Sequence, residues 1–206
     1  MQNREFILGV DVDDVIMNYT AGLRRFVAES KNIPEDSIPD PDSWNFSNWP
    51  FSDRDDFLKY HTGAVDAGMF ETAPVMPGAS EVLWRLNDLG IYIRIVTACF
   101  VGKGRHALAG SSRFLWLDKE NIPFKDICFI PTKTDVYADL WIDDSPKHIE
   151  AFNEAGLDVI VFDALYNRHV TGTARVKSWY EAEDIIVDRF VIWEEKYDSL
   201  RSTSME

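Results

Sequence analysis

Cysteine is nearly absent from this chain. Its 206 residues include two, Cys99 and Cys128, and no C-x-x-C. Two cysteines cannot build a disulfide framework, so they read as small buried free thiols in a reducing compartment. Positive charge is also short, with 21 Lys and Arg against 35 Asp and Glu, a net charge of -14. That balance excludes a nucleic-acid polymer as partner, because its phosphates require a basic footprint. A small anionic substrate stays admissible where a local site supplies the positive charge. The four histidines, His61, His106, His148 and His169, show no metal-ligand spacing and are given no catalytic role. No long hydrophobic run occurs. The N-terminal "MQNREFILGV" has a short apolar run that meets Asp11 at once, so neither a signal peptide nor a membrane span is expected, and a cytoplasmic location is.

What is present is ample apolar material, 46% hydrophobic and 13% aromatic, enough for one domain or one domain with an insertion. Short apolar runs recur at 6–10 ("FILGV"), 91–96 ("IYIRIV"), 127–130 ("ICFI"), 139–142 ("DLWI") and 158–162 ("DVIVF"). Each reads as a buried strand. Helical patterns lie between them. One spans 77–90. A second carries Leu108, Phe114, Leu115 and Leu117 and ends near Pro123. A third spans 145–156, with Ser145 as N-cap, Pro146 at N1 and Gly156 at the C-terminus. A closing amphipathic helix aligns Ile186, Phe190, Trp193 and Tyr197, and "RSTSME" reads as a frayed tail. Strands alternating with helices predict an α/β fold with a doubly wound parallel sheet.

Residues 15–76 break the alternation. They contain no convincing strand, only helix-like stretches at about 15–30 and 52–62 around "PEDSIPDPDSWNFSNWPFSD". A simple crossover needs far fewer residues. The segment therefore reads as a small, mostly helical cap inserted after the first strand, with residues 1–14 and 77–206 forming the core. Trp44, Phe46, Trp49 and Phe51 either hold this cap together or line a pocket.

Ligands of open α/β sheets bind beyond the carboxyl ends of the strands. There this chain carries Asp11 and Asp13 ("DVDD"), Thr97 ("TACF"), Lys133 ("PTKTD"), and Asp143 with Asp144 ("DDSP"). Crowded carboxylates need a cation to screen them. Oxygen-only ligands favour a hard one, and Mg²⁺ typically takes one or two carboxylates plus water and substrate phosphate. A lysine adds charge for a phosphate, and a threonine hydroxyl with adjacent backbone N–H groups binds its oxygens. One carboxylate can attack phosphorus, and a second can serve as acid and base. Each piece alone is weak; the ordered set points to phosphoryl chemistry.

This ordered set resembles the four motifs of the haloacid dehalogenase (HAD) superfamily of phosphotransferases. "GVDVDDVIMNY", "IVTACF", "RFLWLDKENI", "PTKTDVYADLWIDDSP" and "VFDALYNRHV" resemble the 5'(3')-deoxyribonucleotidase family from about Phe6 to Val170, with the cap matching loosely. The resemblance implies a HAD-like core in which Asp11 is the nucleophile and Asp13 the general acid and base. Thr97, Ala98 and Lys133 would hold the phosphate. Mg²⁺ would be held by the Asp11 side chain, the Asp13 backbone carbonyl and Asp144, with Asp143 acting directly or through water. Asp14 is read as a turn residue, and Lys103 and Arg105 as an exposed basic loop. The implied activity is hydrolysis of (deoxy)ribonucleoside monophosphates. Its partner is a small nucleotide, with the chain a monomer or a homodimer. Trp44, Phe46 and Trp49 are the candidates for stacking on a base. The same core could instead hydrolyse a sugar phosphate or another small phosphoester. A receiver-type phosphoacceptor module shares several of these residue types but has neither the insertion nor the second acidic pair.

Overall fold

Strand β1 (Ile7–Val10) runs through the middle of the sheet because nearly all of it is apolar and buried. In the computed structural model, which describes residues 4–98 and 104–203, it pairs in parallel with β2 (Tyr92–Thr97) on one side and β4 (Leu140–Asp143) on the other. Strand β3 (Asp126–Phe129) flanks β2, β5 (Val159–Phe162) flanks β4, and β6 (Ala174–Val176) closes the edge. The order is β3-β2-β1-β4-β5-β6, with every pairing parallel. The five expected strands are present, displaced by a residue or so at their ends. The three-residue β6 is additional. Near-continuous apolar runs suit a sheet covered on both faces. Gly9 has a local reason: a Cβ there would lie 2.6 Å from the Trp141 ring, which crosses β1 from β4.

The chain turns one way from β1 to β2 and the other way to β4. The crevice at such a reversal is where α/β sheets bind ligands. It lies between the ends of β1 and β4, which are tied by the Asp11 N–H donating to Ile142 O at 3.1 Å.

Between β1 and β2 lie α1 (Tyr19–Lys31), α2 (Arg54–Asp66), the short α3 (Met69–Thr72) and α4 (Ala79–Asp88). Helix α1 starts later than the apolar pattern suggests. Asn18 caps it by accepting from Ala21 N at 2.9 Å, and Met17 bridges to Val75. Asp53 caps α2 in the same way. One apolar cluster runs from Leu8, Val10, Ile93 and Ile95 of the sheet into Leu23, Val27, Phe46, Trp49, Val65 and Phe70, so the inserted helices share the core of one sheet face. On the other face Trp141 stacks on Phe152 of α6 (Pro146–Glu154), centroids 4.5 Å apart.

Helix α5 (His106–Lys119) forms where expected, and of the four apolar residues that mark it in the sequence Leu117 is the one inside. Ala109, Ser112, Arg113, Trp116 and Leu117 are inside, whereas Leu108, Phe114 and Leu115 are exposed. Two polar anchors set this rotation: Trp116 Nε1 donates to Ala73 O at 2.9 Å, and Arg113 reaches Asp13. Helix α7 (Trp179–Thr203) packs Ile186 and Phe190 inward, and Phe6 meets the Phe190 and Trp193 rings at 5.7 and 5.8 Å. Its first residue, Trp179, donates to Val15 O at 2.7 Å. Cys128 is a half-buried free thiol; Cys99 and Lys103 lie outside the described residues. Arg105, expected on an exposed loop, makes a two-pronged ion pair with Asp66 of α2, both contacts at 2.8 Å. Among the described residues no helix is long and apolar enough to cross a membrane.

Candidate active site

Asp11 follows β1, Thr97 ends β2, Lys133 opens a single turn of 3-10 helix after β3, and Asp143 ends β4. All four are buried. The Lys133 ammonium sits between two carboxylates, 2.7 Å from Asp11 Oδ1 and 2.6 Å from Asp143 Oδ2. Asp143 Oδ1 accepts from the Ser145 N–H at 2.9 Å. The anchor at the start of α6 is thus the Asp143 side chain, since the Ser145 hydroxyl makes no cap bond. Asp144 accepts on Oδ2 from the Tyr166 hydroxyl, and its carbonyl accepts from Asn167 Nδ2 at 2.8 Å. Carboxylate oxygens of Asp11, Asp143 and Asp144 lie within 4.8 Å of one another.

Asp13 points elsewhere. Its Oδ2 accepts from Arg113, whose guanidinium lies 3.6 Å over the Phe70 ring. Its carboxylate is therefore outside the three-residue cluster, leaving only its main chain for any cation held there. Asp14 is a turn residue with φ 54°, a left-handed value that Asp tolerates better than most. Both its oxygens accept from Thr20, at 2.8 and 2.6 Å, which joins the acidic turn to α1.

Burial is the main cause of the site's electrostatics. It pushes Asp11 up to about 6, with Lys133 opposing and Asp143 and Asp13 adding to the rise. Burial, followed by Asp11 and Asp143, raises Asp144 well above the carboxylate range. Burial alone would lower Lys133, but Asp11 and Asp143 together outweigh it and hold the ammonium charged. Asp13 Oδ1 and Asp144 Oδ1 are buried with no hydrogen-bond partner. The clustered carboxylates of Asp11, Asp143 and Asp144, with Asp144 Oδ1 left without a partner, are hard oxygen donors that fit a divalent cation such as Mg²⁺.

A cavity of about 210 Å³ opens from this acidic end. Asp13, Asp14, Ala98, Arg113 and Asp144 are among the residues that line it. Tyr19, Trp44, Phe46, Phe57, His61 and Tyr166 are prominent on its walls. Of the three aromatics singled out in the sequence, Trp44 is 53% exposed and meets the Tyr166 ring edge-on at 5.5 Å. Phe46 stacks on Phe57 at 5.3 Å and holds its backbone at φ 56°, uncommon for an aromatic. Trp49 does not reach the cavity. It is buried behind Phe46, centroids 4.9 Å apart, and donates to Pro39 O at 3.0 Å.

Several lining residues were not singled out from the sequence. His61, given no role there, faces the cavity with Nδ1 2.7 Å from the Tyr19 hydroxyl, and burial lowers its pKa to about 4, so it stays neutral. Arg113 left one trace, a charge inside the apolar run "RFLWL". Tyr19, Phe57 and Tyr166 left none, since aromatic residues in helices and turns are usually packing.

The chain matches the family described as 5' nucleotidase, deoxy (pyrimidine), cytosolic type C protein over residues 5–191. A Chlorobaculum tepidum protein assigned as a 5'(3')-deoxyribonucleotidase is 33% identical, over 90% of this chain and 92% of its own length. A 5'(3')-deoxyribonucleotidase of Clostridium acetobutylicum is 27% identical over 85% and 92%. Among solved structures, a HAD-superfamily hydrolase of Geobacter sulfurreducens superposes with a TM-score of 0.53 at 13% identity, covering 88% of this chain and 100% of that one. The HAD-hydrolase YfnB of Bacillus subtilis, solved bound to magnesium, gives 0.55 at 18% identity, covering 89% and 99%. At those identities the structures bear on the fold alone, and the fold is that of HAD hydrolases.

Proposed function

Since the chain belongs to the 5' nucleotidase, deoxy (pyrimidine), cytosolic type C family, we propose that it is a phosphoric monoester hydrolase that cleaves (deoxy)ribonucleoside monophosphates to nucleoside and phosphate. One observation carries the reading: Asp144, whose carboxylate clusters with those of Asp11 and Asp143, lines a cavity whose other lining residues include Tyr19, Trp44, Phe46, Phe57 and Tyr166. A phosphate and a flat, apolar leaving group have opposite needs, and this cavity offers both.

In the proposed reaction an Asp11 oxygen attacks phosphorus, and the bond from phosphorus to the ester oxygen breaks. Asp13 donates a proton to the departing nucleoside oxygen. The aspartyl-phosphate on Asp11 is then attacked by a water whose proton Asp13 accepts, which releases phosphate, frees the Asp11 carboxylate and returns Asp13 to its protonated form. Thr97, the Ala98 backbone and Lys133 hold the phosphate oxygens. Asp11, Asp144, Asp143 and the Asp13 carbonyl would hold Mg²⁺, which supplies positive charge against carboxylates and phosphate when bound. Residues 15–76 serve as the cap that covers the leaving group, and residues 1–14 with 77–206 as the core that carries the chemistry. The partner in this reading is the small nucleotide itself, and a cytoplasmic location goes with it.

Phosphate release across ribo- and deoxyribonucleoside monophosphates, with sugar phosphates as controls, tests the proposal. Nucleotides should be hydrolysed, EDTA should stop the reaction, and added Mg²⁺ should restore it. Equal turnover of the sugar phosphates would overturn the nucleotide reading, and full activity in metal-free buffer would overturn the metal.

The cap aromatics separate by position. Trp44→Ala and Phe46→Ala should each lower kcat/KM for nucleotides by roughly ten- to a hundredfold, since a stacked base is worth about 1–3 kcal/mol. Hydrolysis of acetyl phosphate should hardly change. Trp49→Ala removes a ring that only packs, so it should lower Tm and reduce both activities together. If Trp49→Ala selectively impairs nucleotide hydrolysis, or the other two treat both substrates alike, the base wall is wrongly drawn.

A further inference from the structure

Tyr166 lies outside the acidic strand ends yet is bonded to one of them. We propose that Tyr166 is a positioning residue for the cation, its hydroxyl fixing the orientation of the Asp144 carboxylate that clusters with Asp11 and Asp143. This inference rests on the metal-dependent nucleotidase reading above.

The geometry differs for the two Asp144 oxygens. Oδ2 accepts from the Tyr166 hydroxyl, whereas Oδ1 is buried with no hydrogen-bond partner. A carboxylate with one oxygen engaged cannot rotate freely, so the donor on Oδ2 decides which way Oδ1 faces.

Tyr166 is itself held from the next residue. Asn167 is fully buried, and its side chain is occupied on both sides. Its Nδ2 donates to Asp144 O and to Phe162 O, both at 2.8 Å. Its Oδ1 accepts from Ala164 N at 3.1 Å and from Arg175 Nη1 at 2.8 Å. The turn after β5 is therefore pegged to the end of β5 and to the main chain of Asp144, while the neighbouring Tyr166 holds that residue's side chain. Two separate attachments to one aspartate are more than a buried phenol needs to find an acceptor. Groups that hydrogen-bond a metal-ligating carboxylate commonly change metal affinity ten- to a hundredfold when removed.

Tyr166→Phe keeps the ring against Trp44 and removes only the hydroxyl. The test measures Mn²⁺ binding to the metal-free full chain by electron paramagnetic resonance, with no substrate present. Unfolding in EDTA serves as the control for the fold, and kcat and KM are read against Mg²⁺ concentration. The expected result is an Mn²⁺ Kd raised ten- to a hundredfold, the parent's kcat largely recovered at saturating Mg²⁺, and a nearly unchanged nucleotide KM. An Mn²⁺ Kd within twofold of the parent's would overturn the inference and leave the nucleotidase reading standing. A parent chain that binds no Mn²⁺ would overturn both.

Discussion

Asp11→Asn should abolish nucleotide hydrolysis and, with it, acid-stable labelling of the protein by a ³²P-nucleoside monophosphate. The change keeps the shape of the side chain and removes the nucleophile, so the loss should exceed about 3 kcal/mol of transition-state stabilisation, more than a hundredfold in rate. Asp13→Asn keeps the nucleophile and should still label while turning over slowly. The covalent mechanism is falsified if Asp11→Asn retains near-normal turnover. The same variant should be more stable than the parent in EDTA. The Asp11 pKa is raised by burial to about 6, above its ordinary 3.8. A carboxyl whose pKa is higher folded than unfolded binds more protons in the folded state. Its contribution to stability therefore falls as pH rises through that window, and the cost is full above it. Asparagine bears no such cost. The gain in Tm should thus be larger at pH 7.5 than at pH 5, and a gain of equal size at both would show that burial of this charge is not its source.

Lys133→Met should be the most damaging change away from the nucleophile. The ammonium is buried between Asp11 and Asp143 and is within 2.7 Å of each. Without it, Asp11, Asp143 and Asp144 remain close together in a buried site with no ion pair to a Lys or Arg among the described residues. Removing one partner of a buried charge pair costs about 3–5 kcal/mol. Hydrolysis should also fall more than a hundredfold, because the phosphate loses its charged contact. The loss of stability should be largest in EDTA and smaller in millimolar Mg²⁺, which can screen the three carboxylates. Chemical denaturation with and without Mg²⁺ measures this. A variant as stable as the parent in EDTA would mean that the carboxylates shed their charge and that Lys133 does not hold the site together.

The acidic cluster and Lys133 were legible because their placement is local. A parallel sheet puts the residue after each strand on one edge, so an ordered reading of the strand ends finds Asp11, Thr97, Lys133 and Asp143. The central strands were legible for the same reason, being short apolar runs with both faces covered. Strand β6, "ARV", is too short to show a pattern and exists because β5 offers it an edge. The buried face of α5 was not legible, because Arg113 looks like a solvated charge. It is buried because Asp13, 100 residues earlier, meets it across the crevice. Tyr19 meets His61 at a separation of 42 residues, and Tyr166 meets Asp144 at 22. Trp44, Phe46 and Trp49 look alike in the sequence, yet the fold puts two on the cavity and one behind it. Strand ends follow from alternation along the chain, so the sequence by itself determined the sheet and the row of carboxylates beside a lysine. Which side chains surround that row depends on how distant helices pack, and only the tertiary structure decided it. The hydrophobic burial that drives such packing is non-directional and sets no partner by spacing.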